Sequence, residues 1–155
     1  TKWNFNNYHP GLVGGHCVPV DPYYLIDEAK KFSTNLPLIA QSRKTNEAAV
    51  ANFYRKILNK LTSPYTSSYV LINGLSFKPD VQDIRNSQVP PLKRMLEQNG
   101  VKVDVYDPSV KAEVAKNSFG IDLLKKIPSF DNYHLIVSPY DLSIKKGGKY
   151  SSSLS

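Results

Sequence analysis

The 155-residue chain has only one cysteine, one methionine and one tryptophan, and it has no apolar run long enough to cross a membrane. Because a bilayer-spanning helix needs about 20 predominantly apolar residues, the sequence predicts no membrane partner. A single cysteine excludes an internal disulfide framework and suits a reducing compartment, so we expect a cytoplasmic protein. The chain also lacks a strand followed by Gly-x-Gly-x-x-Gly, the pattern typical of dinucleotide-binding domains.

Acidic residues are scarce relative to basic ones. The sequence has 20 lysines and arginines against 13 aspartates and glutamates, which gives a formal net charge of +7. Such a balance can favour nucleic acid or phosphorylated small molecules as partners. The basic residues are spread along the predicted helices, apart from a small cluster at Lys145, Lys146 and Lys149. No nucleic-acid-binding motif accompanies them, so we expect no nucleic-acid partner and interpret most of them as solvated faces.

Two helices are predicted ahead of the first strand. Residues 1–21 are expected to form a loop and 22–32 a short helix, and a longer helix begins at Leu36-Pro37 and continues to about Leu61. From Val50 onward, its apolar side chains recur at helical spacing. A helix of roughly 35 Å suits a connector between domains or a dimer interface. A plain core helix of the following domain is the alternative.

The rest of the chain alternates strands and helices, which predicts an α/β fold with a parallel sheet and right-handed crossovers. The segment Tyr69–Asn73 is apolar on both faces, as a buried parallel strand should be. Beyond Asp141 the sequence is rich in Lys, Gly and Ser, and we expect it to be disordered. The other predicted elements are a helix capped by Ser87 and ended by Gly100, a strand over 101–105, a short helix near 110–117 and a strand over 135–138.

The only cysteine lies in a glycine-lined turn just ahead of the first predicted helix. Gly14 and Gly15 leave room for a ligand to approach the backbone closely. Pro22 can open a helix at its first turn, and the positive end of a helix favours a thiolate nearby. A thiol placed here can be a nucleophile, although a lone cysteine is more often a buried small hydrophobic side chain, which is the alternative.

The loop after the first predicted strand carries two cations, Lys78 and Arg85. Ligands of open α/β sheets bind outside the carboxyl ends of the strands, and this loop lies there. Two cations and the following helix N-terminus suit a pyrophosphate; ordinary surface charge is the alternative. We interpret Asp80 and Asp83 as residues that brace the loop and orient Arg85, rather than as an acid/base pair.

Two motifs therefore stand out in the sequence. The first is Gly14-Gly15-His16-Cys17 with Asp21, and the second is Phe77-Lys78 followed by Asp83-Ile84-Arg85-Asn86-Ser87. In this order and at this separation they resemble the motifs of the nucleotide-sugar 6-dehydrogenases, the family that includes UDP-glucose dehydrogenase. Val20 stands where the glucose branch usually has a lysine, which favours the branch that oxidises UDP-N-acetylhexosamines.

The resemblance implies a long connecting and dimerisation helix followed by a Rossmann-like parallel-sheet domain that binds the UDP-sugar. It also implies a C-terminal fragment that lacks the NAD-binding domain and is inactive alone, because the family's full enzyme is far longer. A homodimer would form through the 36–61 helix. The implied segments are a cysteine loop with a short helix (1–33), the connecting helix (34–63), the UDP-binding domain (68–141) and a disordered tail (142–155).

The reaction implied by the resemblance is an NAD-dependent, four-electron oxidation of the C6 alcohol of a UDP-N-acetylhexosamine to the uronic acid, for surface polysaccharide synthesis. Covalent capture by the Cys17 thiolate would hold the aldehyde as a thiohemiacetal and then a thioester, which water releases with help from Asp21. A non-catalytic nucleotide-sugar-binding or dimerisation module is the alternative. The implied site residues are Cys17 and Asp21 for catalysis, Tyr8, Leu12, Gly14, Phe77 and Lys78 for the substrate, and Arg85, Cys17 and Val18 for NAD.

Two histidines lie close to this motif. His16 is next to Cys17, but no further cysteine or suitably spaced histidine completes a zinc site, so we expect no metal. His9 stands where the N-acetylhexosamine branch often carries an arginine. It could contact a sugar or a phosphate, or it could be a plain loop histidine.

Overall fold

The computed structural model describes residues 9–62 and 64–149. Its helices are α1 (Cys17–Lys31), α2 (Pro37–Leu58), α3 (Val89–Gln98) and α4 (Ala112–Phe119). Its strands are β1 (Tyr69–Asn73), β2 (Lys102–Tyr106), β3 (Leu135–Val137) and β4 (Ile144–Lys146). Short 3-10 turns occupy Tyr65–Ser67, Phe130–Asn132 and Gly147–Lys149.

The four strands form one sheet in the order β2-β1-β3-β4. β1 pairs in parallel with both β2 and β3, which confirms the predicted α/β fold with a parallel sheet. From β1 the chain crosses to β2 on one side and later to β3 on the other. A crevice therefore opens at the carboxyl end of β1, where such sheets bind their ligands.

The main core lies between one face of the sheet and helices α2 and α3. Side chains alternate between the two faces of a strand, so Val70 and Ile72 join this core while Leu71 joins a smaller cluster on the opposite face. Helices α2 and α3 contribute fully buried side chains to the main core. These are Phe53, Ile57, Val89, Leu92 and Leu96.

Helix α2 serves two regions of the molecule. Its second half carries Val50, Phe53 and Ile57 into the main core, as the helical spacing predicts. Its first half packs on α1 and leaves Leu38 82% exposed. The helix ends at Leu58 rather than near residue 61. At 1.5 Å per residue its 22 residues span about 33 Å.

Helix α1 begins earlier than predicted. The sequence analysis assigned a loop up to residue 21, whereas the helix includes Cys17 as its first residue and has His16 as its N-cap. The first amides of a helix have no intrahelical partner, so Pro19 is accommodated in the first turn, and Pro22 lies inside the helix rather than at its start. The cysteine is therefore part of the helix N-terminus.

The expected disorder after Asp141 is wrong for the part of the tail that the structure describes. Residues 144–146 form β4, which pairs antiparallel with β3. Ile144 packs against the main core and both lysines of β4 are exposed, so one apolar side chain and the free edge of β3 account for the strand. The antiparallel β4 also makes the sheet mixed rather than wholly parallel. Residues 150–155 lie outside the described residues.

Replacing Phe53 by alanine should destabilise the fold strongly. Phe53 is 1% exposed, and truncating a buried phenylalanine typically costs about 3–5 kcal/mol through lost burial and the remaining cavity. Equilibrium unfolding in urea measures the loss. The matched control is Asn52→Ala, an exposed neighbour on the same helix that should stay within about 0.5 kcal/mol of the parent. Equal effects of the two variants would contradict the assigned core.

Candidate functional site

The loop that follows β1 is fixed by a buried carboxylate at the end of β2. Asp107 is 5% exposed, and its Oδ2 accepts hydrogen bonds from the amides of Leu75 (2.8 Å) and Ser76 (3.0 Å). Its Oδ1 accepts from the amide of Ser109 at 2.9 Å. Paired amides satisfy a buried carboxylate and remove most of the cost of burying it. Asp107 thus sets the course of the chain toward Phe77 and Lys78.

The cysteine loop lies directly against the second motif. The amide of Gly15 donates to the carbonyl of Arg85 at 2.9 Å, and the Asn86 side chain returns a 2.9 Å hydrogen bond to the Gly15 carbonyl. Gly15 has φ +87°, and a Cβ on Gly14 would lie 3.0 Å from both the Asn86 carbonyl oxygen and Phe77 Cβ. Glycine is therefore required for this close approach. The two sequence motifs form one surface.

Cys17 and Asp21 face a common groove between α1 and α2. The thiol is exposed at the start of α1, and Asp21 follows one helical turn later. The groove encloses about 590 Å³. It is lined by Cys17, Val18, Asp21, Pro22, Leu25, Ile39 and Ser42. A thiol and a carboxylate in one open groove can act on the same small substrate, which is the arrangement that covalent catalysis with an activated water requires.

Arg85 is held by its own loop. Its Nε donates to both oxygens of Asp83 at 3.0 Å, and its Nη2 contacts Oδ2 at 2.6 Å. This confirms that Asp83 orients Arg85. The side-chain hydrogen bond and charge of Asp83 raise the pKa of Arg85, and Arg85 in turn lowers the pKa of Asp83 to about 2. Arg85 remains 64% exposed, so its outer edge can meet a ligand.

A cavity of about 340 Å³ lies beside this arginine. His16 lines it from the cysteine loop, and the end of α4 closes its far side. The cavity is lined by His16, Ile84, Arg85, Asn86, Ser118 and Phe119. His16 and Arg85 thus border the same cavity, and Cys17 follows His16 in the chain. A cavity with a cation, three further polar side chains and a phenylalanine ring can receive a phosphate-bearing ligand.

Lys78 is the second exposed cation of the site. Its Nζ lies 5.6 Å from the centre of the Phe77 ring, and Phe77 itself packs beneath Gly15. Within residues 9–62 and 64–149 Lys78 has no ion-pair partner. An unpaired ammonium at the carboxyl end of a parallel sheet can bind a phosphate as a point charge.

The predicted site residues are distributed as follows. Cys17, Val18 and Asp21 share the groove, and Gly14, Phe77, Lys78 and Arg85 lie on the two loops in contact. The side chain of Leu12 is buried in the main core, so only its backbone borders the loop. Tyr8 lies outside the described residues. The individual roles of all these residues stay predictions.

Sequence reasoning missed two residues that organise the site. Neither Asp107 nor Tyr140 was identified from the sequence. The Tyr140 hydroxyl donates to Asp107 Oδ2 at 3.1 Å and lies 2.9 Å from Ser76 Oγ. The glycine at position 74 is the sequence signal that could have indicated a close neighbour here. It has φ +122°, and a Cβ at this position would lie 2.6 Å from the Tyr140 ring.

The described part of the chain has neither a cluster of metal ligands nor a membrane-spanning helix. In residues 9–62 and 64–149, no group of three or more His, Cys, Asp or Glu side chains could hold a metal ion. None of the described helices is long and apolar enough to span a bilayer.

Asp83 should titrate well below an ordinary aspartate. Because its pKa is lowered to about 2 in the folded chain, against an ordinary value of 3.8, it should stay ionised near pH 3. Its pairing therefore contributes stability above the unfolded pKa, and the contribution is lost as pH falls through about 2. Carboxyl-carbon NMR titration measures the midpoint. In Arg85→Gln the midpoint should return toward 3.8, and an unchanged midpoint would refute the pair.

The sequence is similar to known proteins over both motif regions. The chain matches two domain models, the central domain of the UDP-glucose/GDP-mannose dehydrogenase family over residues 1–48 and its UDP-binding domain over residues 71–143. It is 40% identical over 124 residues to UDP-N-acetyl-D-glucosamine 6-dehydrogenase of Pseudomonas aeruginosa, covering 78% of this chain and 29% of that protein. Against the enzyme of the same name from Salmonella typhi it is 34% identical over 151 residues, covering 96% and 36%.

A solved structure gives the same relationship in three dimensions. NDP-N-acetyl-D-galactosaminuronic acid dehydrogenase from Methanosarcina mazei Go1 superimposes with a TM-score of 0.72 at 27% identity, covering 85% of this chain and 29% of that one. The chain thus spans about a third or less of the length of these relatives. With both domain models matched in order, the chain belongs to the UDP-glucose/GDP-mannose dehydrogenase family.

Proposed function

We propose that the complete gene product oxidises the C6 alcohol of a UDP-N-acetylhexosamine to the uronic acid, with NAD as oxidant and Cys17 as nucleophile. The observation that best supports this is the contact between the two motif loops, made by the Gly15 amide and the Arg85 carbonyl. That contact puts the thiol and both cations on one surface. The names of the Pseudomonas aeruginosa and Methanosarcina mazei relatives support an N-acetylated nucleotide sugar.

The substrate would be held at its phosphate end by the loop after β1. Lys78 is exposed, has no ion-pair partner in the described residues, and follows a turn fixed by Asp107. Its ammonium can therefore bind a diphosphate without first breaking an ion pair, which lowers the cost of binding. Phe77 and the backbone of the cysteine loop around Gly14 border the sugar.

The chemistry at the sugar would take place in the groove of Cys17 and Asp21. The C6 alcohol first loses a hydride and its hydroxyl proton and becomes the aldehyde. The thiolate adds to the carbonyl carbon, and the oxygen takes up a proton to give a thiohemiacetal, which keeps this reactive species bound. Loss of a second hydride from that carbon, together with the hydroxyl proton, leaves a thioester. Water then attacks the thioester carbon, the C–S bond breaks, and the acid and the free thiol are released. Asp21 accepts a proton from that water.

NAD supplies the hydride acceptor when it is bound. The residues of the arginine cavity fit a pyrophosphate: Arg85 is exposed, Asp83 occupies only its Nε and Nη2, and Asn86 and Ser118 add polar groups. Val18 is 65% exposed beside the thiol and would border the same ligand. Because no dinucleotide fingerprint occurs in this sequence, we infer that the 155-residue chain is inactive alone. Surface polysaccharide synthesis and a cytoplasmic location remain part of this proposal.

The α1–α2 hairpin supports a homodimer. Of the large apolar side chains that the described residues expose, all but Val114 lie on α1, on α2 or between them. Such a concentration marks an interaction surface rather than scattered exposure. We propose that a second copy covers it through the 36–61 helix. Val18 and Leu25 border the groove of Cys17, so the exposed residues left for the partner are Tyr23, Tyr24, Phe32 and Leu38.

The reaction is tested by counting reduced cofactor. The complete gene product should form two NADH per UDP-N-acetylhexosamine consumed, because the alcohol loses four electrons. Cys17→Ser should lose turnover by several orders of magnitude while unfolding at the same temperature. Absence of NADH from the folded, complete protein would favour the alternative, a binding or dimerisation module without catalysis. Turnover by the 155-residue chain alone would contradict its proposed inactivity.

The homodimer is tested by light scattering after size exclusion. The 155-residue chain should elute as a dimer, and Leu38→Glu should raise the dissociation constant by about tenfold or more, because a charge is then buried unpaired. Val114→Glu is the matched control, since it places the same charge on an exposed valine of α4 and should leave the dimer intact. A monomeric parent chain, or equal effects of both variants, would disprove this interface.

A further inference from the structure

The segment after β3 touches both loops of the site. The Pro139 carbonyl accepts the Leu12 amide of the cysteine loop at 2.8 Å. A Cβ on Gly11 would lie 2.4 Å from the Tyr140 carbonyl oxygen, so the two backbones are in direct contact. On its other side, the Tyr140 hydroxyl meets Asp107 and Ser76, which fix the loop of Lys78. Pro139 and Tyr140 thus connect the cysteine loop to the loop of Lys78.

The hydrogen bond that the Tyr140 hydroxyl donates to Asp107 should persist over the physiological pH range. Burial, with the neighbouring Asp107 carboxylate, raises the pKa of Tyr140, so the phenol stays protonated and donates its proton at every physiological pH. Ser76 Oγ extends the network by donating to the Lys78 carbonyl at 2.7 Å. The ring itself fills the space left by Gly74. A shift of the Tyr140 side chain would therefore move Ser76 and, through Ser76, the backbone of Lys78.

We propose that Tyr140 is a positioning residue that fixes the cysteine loop at a set separation from the Lys78 loop. Its structural part stands on the contacts above, and its catalytic consequence rests on the proposed function. In a nucleotide sugar, the distance between the diphosphate and C6 is limited by covalent bonds. A binding loop for one end and a nucleophile for the other must then be held in register, since misplacement by about 1 Å can cost about a hundredfold in rate.

The structural part is tested by amide hydrogen exchange in the 155-residue chain. In Tyr140→Phe the ring remains but the hydroxyl is lost, and the Leu12 amide should exchange about tenfold faster, as expected for losing one buried hydrogen bond. Tyr133→Phe is the matched control. It removes a comparable hydroxyl, 2.7 Å from Asp104, remote from both loops, and Leu12 should keep its exchange rate. Ser76→Ala removes the other partner of the Tyr140 hydroxyl and should speed Leu12 exchange in the same direction.

The catalytic part is tested by steady-state kinetics of the complete gene product. Tyr140→Phe should lower kcat about tenfold with a smaller change in KM for the nucleotide sugar, because alignment rather than affinity is lost. Tyr133→Phe should leave both constants unchanged. An unchanged kcat in Tyr140→Phe, or Leu12 exchange no faster than in Tyr133→Phe, would overturn the inference. If the parent protein shows no turnover, the proposed function fails, and Leu12 exchange alone still decides whether Tyr140 joins the loops.

Discussion

The hydrogen bonds between the amides of Leu75 and Ser76 and the buried carboxylate of Asp107 determine where the site can form. At the end of a parallel strand, the backbone loses its ladder partners and its amides need new acceptors. Asp107 supplies them from the neighbouring strand, so the chain leaves β1 along one course. The positions of Phe77 and Lys78, the contact with Gly15 and the place of Arg85 all follow from that course. A neutral side chain at 107 would leave these amides with a weaker acceptor.

The elements that sequence patterns predicted well are those whose signal is local. β1 is apolar on both faces and was predicted with its observed bounds, and α3 ends before Gly100, whose φ of +81° fits the left-handed cap. Three features that were misjudged or missed have no such local signal. Helix α1 begins ahead of two prolines, which usually mark a helix start. β4 needs the free edge of β3, and Tyr140 has a role only through its contacts with Gly74 and Asp107. Motif spacing could predict that both loops take part in a site, but not that they are in direct contact.

The helical hairpin and the sheet domain differ in how they are held together. The sheet domain has a continuous apolar core, whereas in α1 only Pro19 is buried. Between α1 and α2 the contacts are partly polar: Arg43 lies over the Tyr23 ring at 5.7 Å, and the Tyr23 hydroxyl donates to Glu47. Arg43 is 7% exposed, and its Nε has no hydrogen-bond partner within the described residues. Two helices joined by such contacts separate more easily than elements that share a packed core. The groove of Cys17 and Asp21 therefore lies on the part of the molecule that opens more easily.

Two contacts between the cysteine loop and the sheet domain are made by main chain alone: the Gly15 amide donates to the Arg85 carbonyl, and the Leu12 amide donates to the Pro139 carbonyl. Backbone groups are the same whatever side chains flank them. Neighbours such as Val13 and His16 can therefore vary during evolution without separating the two parts, provided that the glycines remain. Such a joint leaves the side chains around the thiol free to diverge while the architecture is inherited unchanged.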